Sequence, residues 1–133
     1  MTTQTLPFEN AEFLHITECR RRLDDVLRQS RLSQMARFDM CSAFLEVVGN
    51  RIEHQQGDDP LVCTASEVQL GGRYGVKLDI RGIDYVEPGE MPYVSGIAGE
   101  CPEGGFGLAM ISVYVDQYVP LIGEQGISLL KLC

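Results

Sequence analysis

Five polar residues, Asp39, Ser42, Glu46, Asn50 and Glu53, recur three or four positions apart. On a helix that spacing lines them along one face. Glu46 stands out because it interrupts the otherwise apolar run Phe44-Leu45-Glu46-Val47-Val48. A carboxylate there, with the Asn50 amide oxygen one turn later, suits two tasks. The carboxylate can serve as a general base or orient a hydroxyl. The amide oxygen is a hard ligand for Mg²⁺, which otherwise keeps waters and phosphate oxygens. Phosphoryl transfer needs such positioning and electrostatic groups. The same spacing also describes a solvated stripe on an amphipathic helix, and the pattern alone leaves both readings open.

A second stretch, Pro102-Glu103-Gly104-Gly105-Phe106-Gly107-Leu108-Ala109-Met110-Ile111, reads as a glycine-rich turn running into an apolar helix. Such a turn leaves free backbone N–H groups at a helix N-terminus, where the macrodipole favours an anion. Glycines allow a phosphate to approach the backbone because no Cβ intervenes. A plain loop before a helix start has the same composition.

The chain of 133 residues fits one domain, 1–133, and its 44% hydrophobic content is enough for a core. A net charge of −8 repels phosphate backbones, so direct nucleic-acid binding is not expected. That charge suits solubility, or steering toward a basic protein partner. The cysteines Cys19, Cys41, Cys63, Cys101 and Cys133 are odd in number and form no CxxC, which argues against a disulfide framework and a zinc site. No apolar run has the length of a membrane span, and the polar start lacks a signal-peptide core. A cytoplasmic protein with reduced thiols is the expectation.

The elements that must position these residues follow from periodicity. Residues 1–10 form a polar lead-in with room for a short edge strand. Phe13, Ile16, Leu23, Val26 and Leu27 predict a helix from Glu12 to Gln29. Ser33 is placed to cap a second helix running to about Gln55, with Met35, Phe38, Cys41, Leu45, Val48 and Ile52 as its buried stripe. Gly57-Asp58-Asp59-Pro60 marks a turn, and strands over 61–70 and 73–80 flank a tight Gly71-Gly72 hairpin. Residues 86–105, with Pro88, Pro92 and Pro102, form a long lid-like loop. A third helix is expected from Phe106 to Val119, closed by Pro120, then a strand from Gly126 to Leu132. Helices on one face of a largely antiparallel sheet are the simplest packing.

Glu46-Val47-Val48-Gly49-Asn50-Arg51-Ile52-Glu53-His54 resembles the N-box of the GHKL ATPase superfamily, with its Glu, its Asn four residues on and its His four further. More narrowly, it is similar to the bacterial anti-sigma-factor serine kinases. Pro102-Glu103-Gly104-Gly105-Phe106-Gly107-Leu108 is similar to their second glycine box, Pro-Glu lead-in included. Element order and length agree from about Glu12 onward. The resemblance implies a Bergerat-type α+β two-layer sandwich, a mostly antiparallel mixed sheet covered on one face by about three helices. It implies Glu46 as catalytic base or hydroxyl-orienting group, Asn50 as Mg²⁺ ligand, and Gly104, Gly105 and Gly107 around the phosphates of ATP. It further implies phosphorylation of a serine on a STAS-type anti-anti-sigma partner, sequestration of a sigma factor, and a homodimer.

The family's first glycine box has an Asp that binds the adenine amino group. In Leu78-Asp79-Ile80-Arg81-Gly82-Ile83-Asp84-Tyr85-Val86-Glu87-Pro88 that position falls near Gly82, and Asp84 is the displaced candidate for the contact. Relatives often carry Gly-Thr in the last strand; here it is Gly126-Ile127, with Ser128 one residue on. Three readings stand. The chain is an ATP-dependent kinase, or an inactive interaction module of the same fold with a degenerate adenine pocket, or the resemblance is fortuitous and the chain is an α+β binding domain with no nucleotide history. Arg51 has the reach of a bidentate phosphate donor but also the composition of an ordinary surface arginine. His15 and His54 read as structural or exposed, and Met35, Met40 and Met110 as core.

Overall fold

The computed structural model describes residues 3–8, 16–54, 60–87 and 111–133, with the backbone alone over 51–54. Its elements are β1 (Thr3–Phe8), α1 (Ile16–Leu27), α2 (Gln34–His54), β2 (Leu61–Leu70), β3 (Arg73–Arg81), α3 (Ile111–Tyr114), β4 (Gln117–Pro120) and β5 (Gly126–Leu132). The strands form one sheet in the order β1-β2-β3-β5-β4. Every pairing is antiparallel, so no parallel pair gives a mixed sheet among the described residues. The architecture is α+β, with the helices packed against one face of the sheet. None of the described helices is long and apolar enough to cross a membrane.

That face is set by alternation. Cys63, Ile80 and Ile127 lie side by side across β2, β3 and β5, as do Ala65, Leu78 and Leu129, and all six are buried. Thr64, Asp79 and Ser128 form the intervening row and point to the opposite face. Each buried Ile or Leu contributes about 1.5–3 kcal/mol, so a one-residue slip in any strand is strongly penalised. Gly71 and Gly72 close the β2–β3 hairpin with φ of 58° and 79°, the left-handed pair that a two-residue turn of this twist requires.

Helix α1 turns Cys19, Leu23, Val26 and Leu27 inward. Helix α2 is capped as expected: the Ala36 N–H donates to Ser33 Oγ at 3.1 Å. Its buried face differs from the predicted stripe. Cys41 and Val48 are buried and Leu45 is half-buried, but Met35 is 70% and Phe38 54% exposed. Ala36, Met40, Ala43, Phe44 and Val47 are buried in their place. Apolar residues stand on almost every side of this helix, so spacing did not single out one face. The tertiary contacts do: Phe44 meets Phe8 of β1 with ring centroids 5.5 Å apart.

The third helix also differs. The expected element from Phe106 to Val119 stops at Tyr114, and residues 117–120 are strand β4. The Asp116 N–H donates to the Leu130 carbonyl at 2.8 Å, and its carboxylate accepts the Leu132 N–H at 2.7 Å. These two bonds draw the chain onto the edge of β5. Pro120, read as a helix stop, instead ends an edge strand, where a missing N–H costs no ladder bond. The part of that helix before Ile111, the lid-like loop from residue 88 and the Gly57–Asp59 turn lie outside the described residues.

Three tests follow from this packing. A Cβ on Gly49, inside α2, would meet nothing within 4 Å among the described residues. Gly49→Ala should therefore raise the unfolding free energy by about 0.5–1 kcal/mol in urea denaturation. Burial pushes the Cys41 thiol up to about 11 and raises those of Cys19 and Cys63 as well. Iodoacetamide at pH 8 should label exposed Cys133 in the native protein, and Cys19, Cys41 and Cys63 only after unfolding. Because these raised values hold the proton on the folded state, the stability they contribute should fall as pH rises from about 9 toward 11.

Candidate functional site

The polar stripe of α2 turns toward β5. Lys131 Nζ lies 3.1 Å from Asp39 Oδ2, and both side chains are largely covered, at 17% and 22% exposure. From Asp39 to Asn50 the helix rises about 16 Å. From Lys131 back to Ile127 the strand covers about 13 Å. Phe44 at the same time reaches Phe8, which pairs with Leu61 at the end of the sheet where β3 finishes. Helix α2 thus crosses the sheet from the Lys131 end of β5 toward Phe8 on β1.

Asn50 is 8% exposed, and its Oδ1 has no hydrogen-bond partner among the described residues. Leaving a buried amide oxygen without a donor costs about 1–3 kcal/mol. Ser42 and Glu46 on the same stripe are half-buried, with Glu46 one turn before Asn50. The donor types fit a hard cation that keeps most of its waters: one neutral oxygen with no partner among the described residues, and a carboxylate a turn away. The Glu53 side chain, and the glycines Gly104, Gly105 and Gly107, lie outside the described residues.

The end of the sheet where β3 stops and β5 starts is apolar toward the helices. Ile80 and Ile127 are cross-strand neighbours, 0% and 1% exposed. The neighbouring polar pair, Asp79 and Ser128, is also in register but occupies the other face. One residue along a strand reverses the side chain's direction, so Ser128 cannot replace an inward hydroxyl at position 127. Gly82 has φ of 90°, and a Cβ there would sit 2.7 Å from the Pro60 carbonyl oxygen. A carboxylate-bearing side chain at that position is excluded. Asp84 is exposed and accepts a hydrogen bond from Gln125 Nε2 at 2.6 Å. Beyond it, Tyr85 stacks on Tyr118 with centroids 4.9 Å apart. Tyr118 donates its hydroxyl to the Val86 carbonyl at 2.8 Å, and burial pushes its pKa up to about 12.

Sequence reading did not find two features. The Lys131–Asp39 pair joins residues far apart in the chain and leaves no local signal. The Asp79–Ser128 pair was legible from alternation, since Leu78 and Ile80 flank Asp79 and must share the opposite direction. Asp79 is 8% exposed with one carboxylate oxygen unpartnered among the described residues, and the other 3.4 Å from Lys77 Nζ. A scan of the chain against protein-family models finds no match, and a search of curated proteins finds none. The likeness to the anti-sigma kinases therefore rests on the residues themselves.

If Asn50 holds an oxygen with no donor, an apolar side chain of the same branching should be no worse for the unliganded fold. Asn50→Leu should leave the unfolding free energy unchanged or raise it by about 1 kcal/mol, read by urea denaturation without ligand. A loss of more than about 1 kcal/mol would show the amide to be satisfied.

Proposed function

We propose that this chain is an anti-sigma-factor-like regulator of GHKL type. It binds Mg-ATP, phosphorylates a serine on a STAS-type anti-anti-sigma partner, and sequesters a sigma factor or similar target as a homodimer. The observation that carries this reading is the buried Asn50 Oδ1, which has no hydrogen-bond partner among the described residues and lies one turn after Glu46. Asn50 would hold the Mg²⁺, whose charge supports the phosphates and the developing negative charge during transfer. Glu46 orients the seryl hydroxyl and accepts its proton as the oxygen bonds to the γ-phosphorus and ADP leaves. Gly104, Gly105 and Gly107 are assigned to the phosphates from the sequence alone.

A second reading is favoured by Ile80, Ile127 and Gly82. With no inward carboxylate or hydroxyl there among the described residues, the chain would be a GHKL-fold interaction module that holds its partner without turnover. A mixture with Mg-ATP and the partner separates the two. Under the first reading, saturating Mg-ATP at a hundredfold excess over Kd stabilises the fold by about 2.7 kcal/mol. Glu46→Ala should retain that stabilisation and lower phosphate transfer by about 10²–10⁴-fold. Binding without transfer in the native protein would select the module, and no stabilisation at millimolar Mg-ATP would reject the kinase.

A further inference from the structure

We infer that the outward side of α2 docks an amphipathic helix of a partner protein, one that carries acidic residues beside its apolar seam. Met35, Phe38, Ser42, Leu45 and Gly49 stand alternately three and four positions apart. At about 3.6 residues per turn they lie nearly half a turn around the helix from Ala36, Met40, Ala43 and Val47, which are buried. Helix α2 therefore has two apolar sides, one against the sheet and one turned away from it. On the second side Met35 is 70% and Phe38 54% exposed, and Leu45 is half-buried. A helix that needed only its sheet would carry polar residues there. Alternating threes and fours are the spacing that packs against a neighbouring helix at a crossing angle of about 20°. Ser42 and Gly49 are small enough to let that helix come close, and a Cβ on Gly49 would meet nothing within 4 Å among the described residues.

Charge selects the occupant. The whole chain carries −8, yet six of its eleven basic residues fall between Arg20 and Arg37, against only Asp24 and Asp25. Those two carboxylates are taken up by Arg21, Arg28 and Arg37. Arg20, on α1, lies over the Phe38 ring at 5.8 Å and has no carboxylate partner among the described residues. An uncompensated guanidinium at the rim of an apolar stripe favours a carboxylate on the incoming helix and disfavours a cation. A second copy of this chain would bring the same basic surface against itself. An anionic bilayer would face the negative charge of the whole molecule. A short acidic helix meets neither penalty. The surface is independent of Asn50 and of any nucleotide.

Fluorescence anisotropy of the full chain with two labelled peptides tests this. One is an Ala-based helix of about 20 residues, with Leu at the same alternation of threes and fours and Glu beside each Leu; the other carries Lys in place of Glu. The Glu peptide should bind with a Kd below about 100 μM, and the Lys peptide about tenfold more weakly or worse. Phe38→Ala should weaken the Glu peptide by about tenfold or more. Met35→Ala, at the more exposed position, should weaken it in the same direction with the thermal unfolding curve unchanged. Arg20→Gln should bring the two peptides within about threefold of each other. Binding of neither peptide at about 1 mM, or equal binding of both to the native protein, overturns the inference. So does a dimer in sedimentation equilibrium that Phe38→Ala dissociates, which would assign the surface to a second copy. Cosedimentation with phosphatidylglycerol vesicles that Arg20→Gln abolishes would overturn it in favour of a membrane.

Discussion

The structure depends on one apolar face of one sheet being covered by α1 and α2, with α2 held in one orientation. The strict alternation along β2, β3 and β5 makes that face and pins the register of each strand. Dispersion and burial on such a surface are non-directional, so they do not decide which way α2 lies across it. The Lys131–Asp39 pair and the Phe8–Phe44 contact supply direction at opposite ends of the sheet. An exposed ion pair would add little, and a covered one can cost as much as it gains. The value of this pair lies in orientation. Asp39 and Asn50 share one face of α2, so the pair and the burial of Asn50 agree on the rotation of the helix.

Much of this was legible in the chain, and the failures share a cause. The hairpin around Gly71-Gly72, both of its strands and the Ser33 cap follow from local rules: φ sign, period of two, a hydroxyl one turn before the helix N–H groups. The face of α2 does not, because Met35, Phe38 and Met40 are equally apolar and only distant partners choose among them. The end of the third helix does not, because Val115, Tyr118 and Val119 satisfy helical and strand spacing alike. Bonds from Asp116 to Leu130 and Leu132 settle it, and they span the β4–β5 turn. At the candidate site, the spacing of Glu46 and Asn50 was readable, but the isolation of the Asn50 oxygen was not.

The candidate residues are chemically lopsided. Those on α2, Glu46 and Asn50, offer oxygen acceptors suited to a cation. Those inward on the sheet, Ile80 and Ile127, offer methyl groups. A single step along β3 separates Ile80 from Asp79, and a single step along β5 separates Ile127 from Ser128. The polar atoms that an adenine site would use exist in this chain, one position away and on the wrong side. Sequence proximity to a motif is therefore a poor guide in strands, where one residue is a half-turn of direction.

Strand β5 lies between β3 and β4 although it follows both in the chain. While the polypeptide is being made, β1, β2 and β3 can assemble with α1 and α2 before β5 exists, and the outer ladder of β3 then stands open. An open ladder invites pairing with a neighbouring molecule. Lys77, Asp79 and Arg81 place charge along the row of β3 that faces away from the helices. Docking of β5 closes that ladder, and among the described residues β1 and β4 are left as the edges of the sheet.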